Sequence, residues 1–136
     1  PTGEVAASLE SANAAMTPTR RLESVEAAYW CDVGTKEHLR WVMPYDEERL
    51  LTALARLHAR GDDSLGDNTR LVGSFRAHGL LVPVWDLAVG TGSDVLEEPV
   101  AAFAERLDAA LADDRALSSE ERSARAGLRN RQLTIR

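Results

Sequence analysis

The apolar residues of this chain switch twice from a strand period to a helical one, and that alternation limits the fold more than any other feature. From Val25 to Pro44 they recur at every second position. Val25, Ala27, Tyr29, Cys31 and Val33 fall on one face of a strand, with Glu26, Trp30 and Asp32 on the other. Gly34-Thr35-Lys36-Glu37 supplies a turn, after which Leu39, Trp41 and Met43 alternate with His38, Arg40 and Val42. Beyond Pro44 the spacing becomes helical. Leu50, Leu51, Leu54 and Leu57 form one stripe, Asp46 is placed to cap it, and Glu47 and Glu48 suit the positive end of the helix dipole. Gly61 suits its left-handed exit. The plan then recurs. Leu71 to Ala77 and Leu80 to Val89 read as strands joined at His78-Gly79, and Pro83 marks an edge position or a bulge. Pro99 opens a helix whose stripe is Val100, Phe103, Ala104, Leu107 and Leu111.

The flanks carry weaker patterns. Val5, Leu9, Ala12 and Met16 predict a short helix over residues 3–16, ended by Pro18. Ser118 and Glu121 form a capping box that opens an Arg-rich helix to Asn130, and Gln132-Leu133-Thr134-Ile135 reads as a final strand. The expected fold is α+β: two tandem ββα units making a four-stranded antiparallel sheet with helices on one face, plus a terminal helix and strand. Residues 1–24 form an N-terminal helix and lead-in, 25–114 the ββαββα core, and 115–136 the Arg-rich helix and terminal strand, all in one domain. The last strand joins either this sheet or one in another part of a longer protein. The Pro-Thr-Gly start, without a methionine, points to such a parent.

Composition narrows the function classes. With 136 residues and 44% hydrophobic side chains, the chain can bury a core and is not disordered throughout. No apolar run reaches the roughly 18 residues of a membrane span. A single cysteine, Cys31, makes no internal disulfide, which fits a cytoplasmic setting. Twenty-two acidic residues against 16 basic ones give a net charge of -6, which argues against a nucleic-acid binder using its whole surface. A local basic footprint remains in Arg115, Arg122, Arg125, Arg129, Arg131 and Arg136.

Few residues suggest chemistry. Cys31 and His38 face each other across the first hairpin, but without the further ligands a zinc site needs, and Cys31 reads as a buried, inert thiol. His78 reads as a solvated turn histidine that can join Arg76 in binding an anion, and Asp86 as an ordinary cross-strand ion-pair partner of Arg76 or Arg40. Asp62, Asp63, Asp67 and Asn68 lack calcium-loop spacing. Trp30, Trp41 and Trp85 either stack bases or, the preferred reading, pack the sheet. Gly90-Thr91-Gly92 lacks the Gly-Lys-Ser/Thr of a phosphate loop. No cofactor or metal is expected.

Three segments, SVEAAYWCDVGTKEHLRWVMP (24–44), RLVGSFRAHGLLVPVWDL (70–87) and the terminal GLRNRQLTIR, resemble the C-terminal half of an actinobacterial family of unknown function. Some members of that family go under the name topoisomerase II. The resemblance implies an N-terminal half as the first partner and brings no catalytic residues with it. The residues themselves do not make a topoisomerase. Tyr29 and Tyr45 are the only tyrosines for a nucleophile, the net charge is acidic, and no nucleotide motif is present.

The leading expectation is an interaction or regulatory module without a catalytic site, whose partner is another protein. Arg40, Trp41, Arg76, His78, Arg122, Arg125, Arg129 and Arg131 are its candidate binding residues. One alternative is a nucleic-acid-associated protein using the C-terminal arginines. The other is a small hydrolase or transferase built on Arg76, His78 and Asp86.

Overall fold

A computed structural model describes residues 19–132. The expected helix over residues 3–16 lies outside the described residues, as does the expected terminal strand beyond Gln132. Five strands, β1 (Thr19–Arg21), β2 (Ala28–Asp32), β3 (Glu37–Trp41), β4 (Thr69–Ala77) and β5 (Leu80–Leu87), form one antiparallel sheet in the order β1-β2-β3-β5-β4. Helix α1 (Glu47–Arg60) follows β3, and α2 (Glu97–Ala112) and α3 (Ser119–Asn130) follow β5. The fold is therefore α+β as expected, but the sheet has five strands and not four. The tandem ββα plan is not matched as drawn, because β1 precedes the first hairpin and the second hairpin joins β3 through β5.

The helix ends follow the sequence signals. The Asp46 side chain accepts from Arg49 N–H at 3.1 Å, and Gly61 closes α1 at φ 76°. Ser118 and Glu121 form the expected capping box. His78 and Gly79 both take positive φ, 53° and 80°, which is the type I′ geometry that suits a two-residue hairpin.

Helices α1 and α2 pack on one face of the sheet, and α3 lies against α1. Trp41 and Trp85 meet Phe103 of α2 with ring centroids 5.7 and 5.3 Å apart. Leu39, Leu50, Leu54 and Leu107 are buried around this trio. Trp85 also donates from Nε1 to the Asp63 carbonyl at 2.7 Å, so its polar edge is satisfied inside the core.

Register keeps the expected grouping of β2 and decides which of its faces meets the helices. Ala28 pairs with Trp41 and Trp30 with Leu39, so these residues point toward the helices. Tyr29 and Cys31 pair with Arg40 and His38 and point away from them. Pro83 lies at neither an edge nor a bulge of its own strand, since β5 is interior and the register shift falls in β4 between Leu71 and Gly73. Having no N–H to give, Pro83 stands where the β3–β5 ladder stops at Arg40↔Val84. The two strands touch again only through Met43↔Leu81. Gln132 makes a parallel bridge to Ser74 on β4, so the chain beyond α3 begins to follow this sheet.

Candidate functional site

Where the β3–β5 ladder stops, a cleft of about 490 Å³ opens. Val25, Ala27, Trp41, Met43, Leu80 and Leu107 supply most of its wall. Ala104, Leu107 and Asp108 sit at helical spacings that bring them to one side of α2. The polar groups at the cleft are the exposed carboxylates of Glu26 and Asp108 and the half-buried phenol of Tyr45. None of the three has a hydrogen-bond or ion-pair partner among the described residues.

The wall at residues 25–27 is held from a distance. The Glu97 carboxylate at the start of α2 accepts from Glu23 N–H at 3.0 and 2.9 Å and from Ser24 N–H at 2.8 Å. Burial pushes the Glu97 carboxyl up, but these donors outweigh it and hold it below the usual carboxylate range. Ala27 then takes φ 57°, a left-handed conformation costing an L-residue roughly 1 kcal/mol. Its carbonyl accepts from Val42 N–H at 2.9 Å, which fixes the two lips of the cleft together.

A second carboxylate, this one buried, anchors the other end of the sheet. Glu37 accepts from Trp30 Nε1 at 2.8 Å, Gly90 N–H at 2.5 Å and Gly92 N–H at 2.8 Å. Burial raises its carboxyl, yet the combined donors carry it below the ordinary value. The glycine loop therefore does cradle an anion, and the anion is the chain's own Glu37. Sequence reading placed Glu37 in a turn, because its two glycine partners lie 53 and 55 residues away.

The structure separates most of the candidate residues named from sequence. Trp41 is in the core and lines the cleft. Arg40, its neighbour, points to the opposite face of the sheet. Arg76 is held by Glu47 of α1 in a bidentate pair, both bonds at 2.6 Å. His78 is exposed at the hairpin turn. Asp86 lies near the other end of β5, about 20 Å along the strand from that turn, and on the face opposite Arg76. Arg76, His78 and Asp86 therefore do not converge.

The C-terminal arginines are occupied. Arg125 and Arg129 both bind Glu48, at 2.5 and 2.6 Å. Arg122 donates to the Leu117 carbonyl and Arg131 to the Gly127 carbonyl. Arg125 and Arg129 thus fasten α3 to α1, while Arg122 and Arg131 bond within their own segment.

Cys31, His38 and Asp86 do fall in one row, on three adjacent strands. His38 Nδ1 lies 3.0 Å from Asp86 Oδ1. The row does not make an activated thiol. Burial raises the Cys31 pKa, and the nearby Arg40 charge lowers it by less. No thiol–imidazole hydrogen bond exists among the described residues.

A family model described as a family of unknown function, DUF5926, matches residues 1–136, and the chain belongs to that family. No curated protein and no solved structure matches it.

Proposed function

We propose that this DUF5926 chain is a binding module without a catalytic site, and that its cleft receives a segment of a partner protein presenting an apolar side chain beside a lysine or arginine. One observation carries the reading: the cleft is apolar in its walls and bears two unpaired carboxylates, Glu26 and Asp108. Its volume of about 490 Å³ falls in the range of ligand pockets. The apolar wall supplies affinity through burial, and the carboxylates select a cation over an anion. The lips are held by Glu97 and the Ala27–Val42 bond, so little conformational freedom is lost on binding.

Saturation-transfer NMR on the full chain tests this. The probes are a leucine–arginine–leucine tripeptide with blocked ends, its leucine–glutamate–leucine counterpart, and straight-chain alkylammonium ions. The arginine peptide is expected to bind and the glutamate peptide not. The double variant Glu26→Gln, Asp108→Asn is expected to lose that preference. Equal binding of both peptides overturns the proposal. Binding of alkylammonium ions without either peptide also overturns it, in favour of a small-molecule ligand.

A further inference from the structure

The sheet face turned away from α1 and α2 carries a second concavity, about 340 Å³, whose chemistry is the reverse of the cleft's. Val72 and Val84 are its apolar lining, and Lys36, His38, Arg40, Arg70 and Asp86 surround them. Arg70, Asp86 and His38 stand side by side on β4, β5 and β3, and Arg40 stands opposite Val84. Arg40 and Arg70 thus flank β5 from strands about 10 Å apart, a span that two arginine side chains can close over one small ion.

Among the described residues Asp86 is the only acid lining this groove, and its two oxygens face Lys36 and His38. Oδ2 lies 3.3 Å from Lys36 Nζ and Oδ1 lies 3.0 Å from His38 Nδ1. Arg40 and Arg70 have no carboxylate partner among the described residues, in contrast to Arg76, Arg125 and Arg129. Nε of Arg40 is moreover buried without an acceptor. A donor withdrawn from water and left unbonded is unfavourable, and an anion in the groove supplies what it lacks. Guanidinium groups match the oxygens of a phosphoryl group better than a point charge does.

We infer that Arg40 and Arg70, with Lys36 and His38 beside them, form a binding site for a phosphoryl group. Asp86 holds Lys36 and His38 in place and at the same time weakens the site by its own charge. Saturable binding that ignores Arg129 separates this site from general attraction to a basic patch.

The test follows the backbone amide resonances of the groove, and the Arg40 Nε–H in every chain that keeps Arg40, during titration of the full chain with inorganic phosphate and, separately, with methyl phosphate, at constant ionic strength. Saturable binding is expected. Arg40→Gln and Arg70→Gln each weaken it about tenfold, the loss expected for one charge-assisted hydrogen bond. Asp86→Asn strengthens it, and Arg129→Gln leaves it unchanged. Arg70 is exposed, so Arg70→Gln serves as the reporter if Arg40→Gln fails to fold. Tighter binding of methyl phosphate assigns the ligand to a phosphate ester whose organic part lies on Val72 and Val84. Equal binding assigns it to free phosphate. No saturation with either probe, unchanged affinity in Arg70→Gln, or weaker binding in Asp86→Asn overturns the inference.

Discussion

Strand β3 serves two surfaces of opposite character. Its residues Leu39 and Trp41 turn toward the helices, where Trp41 packs on Phe103 and lines an apolar cleft with an acidic rim. Its residues His38 and Arg40 turn the other way, into a groove whose charged lining is mostly basic. The cleft owes its shape to distant supports: Pro83 interrupting a ladder, Glu97 holding the loop before β2, and Ala27 in a left-handed conformation. The groove follows from strand register alone, because regular pairing sets Arg70, Asp86, His38 and Arg40 beside one another. Two sites on one strand can thus differ in how much of the molecule is needed to build them.

The largest effect that separates the two faces comes from the core beneath the cleft. Phe103→Ala is expected to lower unfolding free energy by about 4 kcal/mol, since it leaves a cavity between Trp41 and Trp85. Denaturant melts measure this, and Arg70→Gln on the other face is expected to move the midpoint little.

Glu37 gives the next effect, and it depends on pH. Glu37→Gln removes charge from a carboxylate with three buried or half-buried donors and is expected to cost about 2–3 kcal/mol near neutrality. Because the folded value is depressed, the stabilisation by Glu37 is present above the ordinary carboxylate value of about 4.3 and is lost as pH falls through the lower folded value. The gap between wild type and Glu37→Gln should therefore narrow as melts are repeated from neutrality to about pH 3. A gap that stays constant would show that charge is not what holds the glycine loop.

Ala27→Gly sharpens the contrast from the cleft side. Glycine takes the left-handed conformation freely, so the variant is expected to gain up to about 1 kcal/mol, with part of the gain offset by a more flexible unfolded chain. Arginine-peptide binding in the cleft should weaken as its lip loosens, with phosphate binding unchanged. The smallest effect is expected for Arg129→Ala, which removes one of two arginines on the exposed Glu48 and should leave the melting midpoint nearly unmoved in moderate salt.

Local signals in the sequence anticipated the parts of the fold that depend on near neighbours. Asp46, Gly61 and the Ser118–Glu121 box mark helix ends because each bonds within a few residues of itself. Strand β1 escaped notice because Thr19, Arg20 and Arg21 are all exposed and show no apolar alternation. Which face of β2 meets the helices was not legible, because Tyr29 and Cys31 look as apolar as Ala28 and Trp30, and only pairing with β3 decides between them. Arg40, Trp41 and Arg76 were correctly placed on strands, yet their separation onto different surfaces depends on register and on Glu47. The cleft itself is built from four separate stretches of chain, and no local spacing announces it.

The most direct measurement is a paired titration of the isotope-labelled full chain by two-dimensional NMR, first with the arginine peptide and then with phosphate. The account predicts that the peptide shifts Ala27, Met43, Leu80 and Leu107, that phosphate shifts Lys36, His38, Arg40 and Arg70, and that neither ligand changes the affinity of the other. Responses of the same residues to both ligands, or shifts scattered over the surface, would contradict it.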